Sequence, residues 1–327
     1  MDQKIRWGIL GPGHIAHSFA KDLQHIKDGI LVAVASRNLD RAKAFAVEYG
    51  APLAFGSYME LMECSEVDVI YIATPHTFHA ELAIMAMEKG KHVLCEKPLG
   101  INREEVQRMV DVAREKRVFL MEALWSRFNP TIQKMKSLVS EGHIGEIGFL
   151  RADFAFYALD RDEKGRILNV ELAGGSLLDI GIYPIFLAYL LLGVPDRIMA
   201  SSKFHAKGAE IQTSMIFDYP TAQALLYSGL TGKSEMKAEI SGSAGSLYLN
   251  PRWHEAQGLT WIKEGVVETL DMPTLGRGYT YEIMEVHHCL RQEKLQSDHW
   301  SHQNSLDLIG ILDQVRKQTG SRFPFEH

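Results

Sequence analysis

The stretch "WGILGPGHIA", residues 7–16, ends an apolar run and then places Gly11, Gly13 and an alanine in the spacing G-x-G-x-x-A. Glycines at these positions allow a tight turn and the close approach of a pyrophosphate, whose charge is met by N–H groups at a helix N-terminus. The triplet follows a predicted strand and opens a predicted helix, so we interpret it, together with His14 and Ile15, as a dinucleotide-binding turn. The alternative is a glycine-rich turn of purely structural use.

The chain around this turn divides into two parts with different periodicities. From residue 4 to about 122, short apolar runs alternate with helical segments, which is typical of a βαβ series with a parallel sheet. After that, one helix is followed by six strand-like runs separated by turn signals such as "DYPT" and "GSAG", a pattern that favours a mostly antiparallel sheet. The predicted fold class is α/β. A doubly wound Rossmann domain at 1–122 precedes an α+β domain with a large open-faced sheet at 123–327, and the C-terminal helix has the option of packing back on the first domain.

Composition narrows the classes of function. The chain has 327 residues, 46% of them hydrophobic and 23% charged, with a net charge of -6, which argues against nucleic-acid and membrane partners. Three widely spaced cysteines provide neither a disulfide framework nor a CxxC metal site, and the first residues lack the pattern of an export signal. A cytoplasmic protein is therefore expected, with a small molecule as its substrate.

The end of the second predicted strand decides between the two nicotinamide cofactors. In NAD-binding proteins an acidic residue there takes the ribose 2′-hydroxyl, whereas this chain has "VASRNLDRA", residues 34–42. Ser36 offers a hydroxyl, and Arg37 and Arg41 offer forked cations that suit a 2′-phosphate. The sequence therefore favours NADP over NAD, the alternative being that both arginines are solvated surface charges.

Two further strands end in polar residues at the carboxyl edge of the predicted sheet, where ligands of such sheets bind. Thr74, Pro75 and His76 follow the first of these strands and are interpreted as a wall of the nicotinamide pocket. His79 is either close to the substrate or, as is common for a histidine at a helix start, structural.

Glu96 and Lys97 follow the next strand, in "HVLCEKPLG", residues 92–100. An exposed lysine paired with its neighbouring glutamate is the ordinary interpretation. A second group of residues, however, lies in "GGSLLDIGIYP", residues 174–184, where Asp179 and Tyr183 are four residues apart on an otherwise apolar helix. A carboxylate and a phenol in such a place are costly unless they are hydrogen-bonded or used.

Other side chains are weighed as pocket residues. Trp125 and Arg127 follow the last strand of the first domain and suit either a pocket or interdomain packing, and Phe154 and Tyr157 suit either a substrate wall or the core. Fourteen histidines are present, but the densest groups, at 287–289 and 299–302, lack carboxylate or cysteine partners at zinc-site spacing. No metal site is predicted.

Taken together, "GILGPGHIA", "ATPHTFHAE", "CEKP" and "GGSLLDIGIY" make the chain resemble the Gfo/Idh/MocA family of NAD(P)-dependent oxidoreductases over nearly its whole length. Within that family the pattern is most similar to the branch of dimeric dihydrodiol dehydrogenases, NADP-dependent xylose dehydrogenases and glucose-fructose oxidoreductase. The resemblance implies an active site of Lys97, Asp179 and Tyr183, with Glu96 supporting the loop. His76 departs from the asparagine that many members have.

The implied reaction is the oxidation of a secondary alcohol or hemiacetal of a sugar, cyclitol or trans-dihydrodiol. Tyr183 would be the acid/base, and the ammonium of Lys97 would lower the pKa of its phenol. Two alternatives stay open: a redox hydrolase of the same family that uses NAD, and a non-catalytic NADP-binding sensor. The bare face of the second sheet predicts a homodimer or larger homo-oligomer.

Overall fold

The structure is a computed structural model that describes residues 4–326. The chain forms two compact units. The first contains the residues up to Phe128 together with Leu275–Leu306, and the second contains Asn129–Thr274 together with the residues from Asp307 onward. The sequence predicted a division between residues 122 and 123. In the structure the turn Trp125–Phe128 and the helix Tyr279–Arg291 also belong to the first unit.

The first unit is built on one parallel sheet of six strands in the order β3-β2-β1-β4-β5-β6. The strands are β1 Ile5–Leu10, β2 Gly29–Ala35, β3 Leu53–Phe55, β4 Val69–Ile72, β5 His92–Glu96 and β6 Leu120–Ala123. The strand order reverses between β1 and β4, which is the switch point at which doubly wound sheets bind their ligands. The predicted Rossmann architecture is confirmed.

Nine α-helices lie within residues 4–326. They are α1 His14–Leu23, α2 Leu39–Tyr49, α3 Tyr58–Glu63, α4 His79–Glu88, α5 Arg103–Lys116, α6 Pro130–Ser140, α7 Ile182–Leu192, α8 Tyr279–Arg291 and α9 His302–Thr319. Side-chain caps mark the helix starts: Asn38 accepts a hydrogen bond from the first turn of α2, and Asn102 does the same for α5. Two elements, β3 and α3, were not predicted because three and six residues carry too little periodicity.

The second unit is built on a mixed sheet of eight strands in the order β14-β13-β12-β11-β7-β10-β9-β8. They are β7 Ile147–Ala155, β8 Arg197–Phe204, β9 Glu210–Asp218, β10 Gln223–Gly229, β11 Ala238–Gly242, β12 Gly245–Leu249, β13 Gly258–Lys263 and β14 Val266–Asp271. Only the pair β7 and β10 is parallel among these described strands, so the prediction of a mostly antiparallel sheet is confirmed. The hairpin β13–β14 was not predicted.

The helical segment that carries Asp179 and Tyr183 lies in the second unit and begins differently from the plain helix that was predicted. Leu177–Gly181 form a π-helical turn that leads into α7. Pro184, near the start of α7, has no N–H for the carbonyl of Ile180 four residues earlier, and that carbonyl lies inside the π-helical turn. Such turns are frequent at functional sites.

Within residues 4–326, no helix combines the length and the apolar character that crossing a membrane requires.

Candidate active site

The glycine-rich turn has the shape that a pyrophosphate needs. Gly11 has φ +84, and a β-carbon there would lie 3.0 Å from the methyl of Thr74 and 3.1 Å from the carbonyl of Ala73. A β-carbon on Gly13, by contrast, would have nothing closer than 4.0 Å. Gly13 precedes α1, and no side chain caps that helix. The turn therefore leaves open space in front of the N–H groups of α1, where an anion is favoured.

A cationic edge lies beside this turn, at the end of β2. Ser36 is buried, and its Oγ accepts a hydrogen bond from the N–H of Asn38 at 3.2 Å. The guanidinium of Arg37 lies 5.9 Å from the ring centre of Phe78, while Arg41 donates to the carbonyl of Pro12 at 3.5 Å. Both arginines are exposed. Arg41 borders the glycine-rich turn, and Arg37 borders the loop after β4. An arginine pair in this place suits a 2′-phosphate.

His79 joins two loops of the first unit. Its ring is fully buried, with Nδ1 2.8 Å from the carbonyl oxygen of Pro98 and Nε2 2.9 Å from that of Thr74. The buried ring of His76 lies 5.7 Å away at 70°. The geometry of His79 ties the loop after β4 to the loop that carries Lys97.

Glu96 ends β5 at the base of the Lys97 loop. Its carboxylate accepts the hydroxyl of Tyr71 and, at 3.2 Å, the N–H of Lys97. Burial, with the charge of Glu96 beside it, raises the pKa of Tyr71 well above its ordinary value, so this phenol stays protonated and donates. Lys97 itself is half-buried. Glu96 thus accepts a hydrogen bond from the backbone of the loop that carries Lys97.

In the second unit, Asp179 and Tyr183 each have partners that the sequence did not indicate. Arg166 donates to Asp179 at 2.8 Å, and this carboxylate is buried whereas the arginine is half exposed. The ring of Tyr183 lies 5.5 Å from that of Phe154 and 5.4 Å from that of His254, and the last two rings stack at 4.1 Å. Tyr183 thus lies against a wall of two aromatic rings.

The remaining pocket candidates lie in different settings. Trp125 stacks on Tyr279 at 4.9 Å, and Arg127 donates to the carbonyl of His299 at 2.8 Å. Burial lowers the pKa of Arg127 to about 10. Tyr157 follows the end of β7 and is 45% exposed, whereas Phe154 lies within β7 and is buried. Both of these contacts of Trp125 and Arg127 are with other residues of the first unit.

Sequence reasoning missed Arg166 and His254. Arg166 lies in the charged loop "DRDEKGR" and His254 in the turn "PRWHEA", and neither stretch has a periodicity or motif that singles one residue out. Their contacts with Asp179 and Tyr183 join positions 13 and 71 residues apart. No group of three or more potential metal ligands occurs among residues 4–326.

Two family models match the chain. The model described as "Oxidoreductase family, NAD-binding Rossmann fold" covers residues 5–124, and the "GFO/IDH/MocA C-terminal domain" model covers residues 132–248. Among curated proteins, the trans-1,2-dihydrobenzene-1,2-diol dehydrogenases of Mus musculus and Homo sapiens are each 34% identical to this chain. Each match spans 98% of this chain and 98% of the mammalian enzyme.

Solved structures agree with these matches. KijD10, a 3-ketoreductase from Actinomadura kijaniata crystallised with NADP and TDP-benzene, is 27% identical over 97% of this chain and 98% of its own, with a TM-score of 0.88. The aldose-aldose oxidoreductase of Caulobacter crescentus has a TM-score of 0.89 over the same shares at 22% identity, which reports on the fold alone.

Proposed function

We propose a specific reaction for this chain, which belongs to the Gfo/Idh/MocA oxidoreductase family and is an NAD(P)-dependent dehydrogenase. It oxidises a secondary alcohol of a cyclic diol or sugar-like molecule, with a trans-dihydrodiol as the first candidate. The observation that carries this choice is the ring wall of Phe154 and His254 beside Tyr183, which suits a flat, unsaturated ring. The mammalian relatives named for a dihydrodiol support the same class.

NADP is the proposed cofactor. Arg41 borders the glycine-rich turn and Arg37 the loop after β4. No acidic residue stands at the end of β2, and the 27% identical 3-ketoreductase was crystallised with NADP. The open space at Gly13 fits a pyrophosphate. When bound, the nicotinamide accepts a hydride from the substrate carbon in the oxidative direction.

Side chains of the protein accept and stabilise the proton that leaves the substrate hydroxyl. As the carbon–hydrogen bond breaks, the substrate O–H also breaks, its proton passes to the oxygen of the ionised Tyr183 side chain, and a carbonyl forms. Lys97 provides positive charge that favours the ionised phenol and polarises the substrate oxygen. Asp179, held by Arg166, orients the reacting groups. Crystallised variants of the 3-ketoreductase include replacements of a lysine and of a tyrosine, the same two residue types.

For assembly, we propose that a second copy of this chain covers the open face of the second sheet, and that the protein works in the cytoplasm. A groove of about 530 Å³ on that face is lined by apolar residues of β8, β9 and β10, among them Met199, Ile216 and Leu225. Arg151 and Asp153 place opposite charges on the same strand of this groove. A surface with both charges can complement itself across a two-fold axis.

The experiment is a substrate screen that follows the accumulation of reduced cofactor. Purified protein and NADP are incubated with trans-1,2-dihydrobenzene-1,2-diol, aldoses and cyclitols, and NADPH is compared with substrate consumed. A dehydrogenase gives one NADPH per oxidised alcohol. Substrate loss without net NADPH would instead indicate a redox hydrolase, and no turnover with any diol or sugar would contradict the proposed reaction.

A further inference from the structure

The backbone of the loop that carries Lys97 is fixed by buried side chains. Glu96 accepts the N–H of Lys97, His79 contacts the carbonyl of Pro98, and Glu122 accepts the N–H of Leu99 at 3.0 Å. Glu96 directly precedes the loop, and His79 begins α4. Glu122 lies on β6, an edge strand that pairs with β5.

Glu122 is itself held by the chain that follows α8. Its second carboxylate oxygen accepts the indole N–H of Trp300 at 3.1 Å and the hydroxyl of Ser305 at 2.6 Å. Trp300 and Ser305 are also within 3.0 Å of each other, and Glu122 is only 3% exposed. The carboxylate thus links the Lys97 loop to the segment 300–305.

Glu122 is a buried acceptor for three hydrogen-bond donors. Burial raises the pKa of Glu122, and the hydrogen bonds from Ser305, Trp300 and Leu99 and the positive charge of Lys97 offset that rise only in part. The three donors leave both oxygens of this buried side chain hydrogen-bonded.

We infer that Glu122 is a positioning residue for Lys97: through the N–H of Leu99 it fixes the loop that carries Lys97 and ties that loop to the segment 300–305. The consequence for the reaction rests on the proposed function of Lys97, whereas the loop contact does not. Other ionisable groups near the loop are Glu96 and His79, with Tyr71 and Glu282 behind Glu96.

The test replaces Glu122 by aspartate, whose shorter side chain withdraws the carboxylate from the N–H of Leu99, and by glutamine, which keeps an oxygen for that N–H. Glu285→Gln is the matched control, because Glu285 accepts the hydroxyl of Ser297, which in turn accepts the N–H of Trp300, so the control perturbs the same segment without touching the Lys97 loop. Two properties are measured: the rate at which trinitrobenzenesulfonate modifies Lys97, followed by peptide mass spectrometry, and the steady-state constants with NADP.

We expect Lys97 to be modified about threefold faster or more in Glu122→Asp, because the loop loses its contact at Leu99 and holds the amine less firmly. Turnover should fall about 10- to 100-fold with the KM for NADP changed less than about threefold. Glu122→Gln and Glu285→Gln should keep the wild-type rate of Lys97 modification. If Glu122→Asp does not fold, Trp300→Phe removes one of the donors that hold Glu122 and should also raise the modification rate.

Unchanged Lys97 reactivity in Glu122→Asp, or modification in Glu122→Gln as fast as in Glu122→Asp, would overturn the inference. Equal losses of turnover in Glu122→Asp and Glu285→Gln, with Lys97 reactivity unchanged in both, would leave Glu122 with a packing role alone. The proposed function fails separately: if Lys97→Met keeps normal turnover, Lys97 is not catalytic, although the modification assay still decides whether Glu122 fixes its loop.

Discussion

Replacing Arg37 by alanine should weaken NADP binding without weakening NAD binding. The guanidinium is exposed and lies over Phe78, so its contact with a 2′-phosphate would be a charge-assisted hydrogen bond open to water. Such bonds contribute about 1.5–3 kcal/mol, and solvent exposure places this one at the low end. A loss of about 1.4 kcal/mol corresponds to a tenfold rise in Kd.

Loss of the contact with Phe78 costs about 0.5–1 kcal/mol at an exposed site but affects both cofactors equally. The ratio of the two dissociation constants therefore isolates the phosphate contact. Titration calorimetry with NADP and NAD measures this ratio without a known substrate.

Lys43→Ala is the control, because Lys43 is an exposed cation on α2, the same helix as Arg41. It should change both constants by less than about twofold through general electrostatics alone. The reasoning is refuted if the wild-type protein binds NAD as tightly as NADP, or if Arg37→Ala weakens both cofactors equally.

Three further predictions concern stability and assembly. Burial raises the pKa of Glu282 well above its ordinary value, and neither of its carboxyl oxygens has a hydrogen-bond partner among the described residues, so Glu282→Met should increase the free energy of unfolding by about 1–3 kcal/mol. The gain should grow as pH rises above about 4.3, because only the unfolded chain ionises freely there; a loss of stability in urea titrations at pH 8 would be incompatible with this reasoning. Burial lowers the pKa of His287, whose Nε2 accepts the indole N–H of Trp7, so its contribution is present above about pH 6.5 and is lost as pH falls through the lower folded value. Chemical denaturation at pH 7.5 and 5.5 should show a smaller pH effect in His287→Gln, and an identical one would contradict the assignment. Light scattering should give about twice 36.8 kDa, with Leu225→Glu shifted toward monomer and the exposed Val47→Glu on α2 unchanged; a wild-type monomer at micromolar concentration would rule the dimer out.

The features that the sequence predicted correctly are those that a short stretch of residues determines by itself. Fully apolar runs marked the buried parallel strands, and a glycine triplet between a strand and a helix marked the turn after β1. The elements that were missed lack such patterns. β3 has three residues, and β14, with Val266 and Val267 about 60% exposed, has little contrast between its two faces.

The candidate site likewise combines residues that the sequence singled out with residues that it did not. Lys97, Asp179 and Tyr183 stand out because charged or phenolic groups interrupt apolar stretches. The side chains that hold them do not stand out, because a partner such as Arg166 or Glu122 is selected by the packing of distant segments. Glu122 bonds to Trp300 and Ser305, which are 178 and 183 residues further along, and no sequence spacing encodes that contact.

The central claim is that Tyr183 exchanges the proton of the substrate hydroxyl, and one comparison tests it most directly. Tyr183→Phe and Tyr189→Phe make the same change on the same helix, but the hydroxyl of Tyr189 donates to Asp307 at 2.9 Å and has no proposed role in the reaction. With a verified alcohol substrate, the initial rate of NADPH formation is measured for both variants and for Lys97→Met. Tyr183→Phe and Lys97→Met should each lower turnover by about 10² to 10⁴, with NADP affinity nearly unchanged, while Tyr189→Phe stays close to wild type. Near-normal turnover in Tyr183→Phe would show that Tyr183 does not carry the proton.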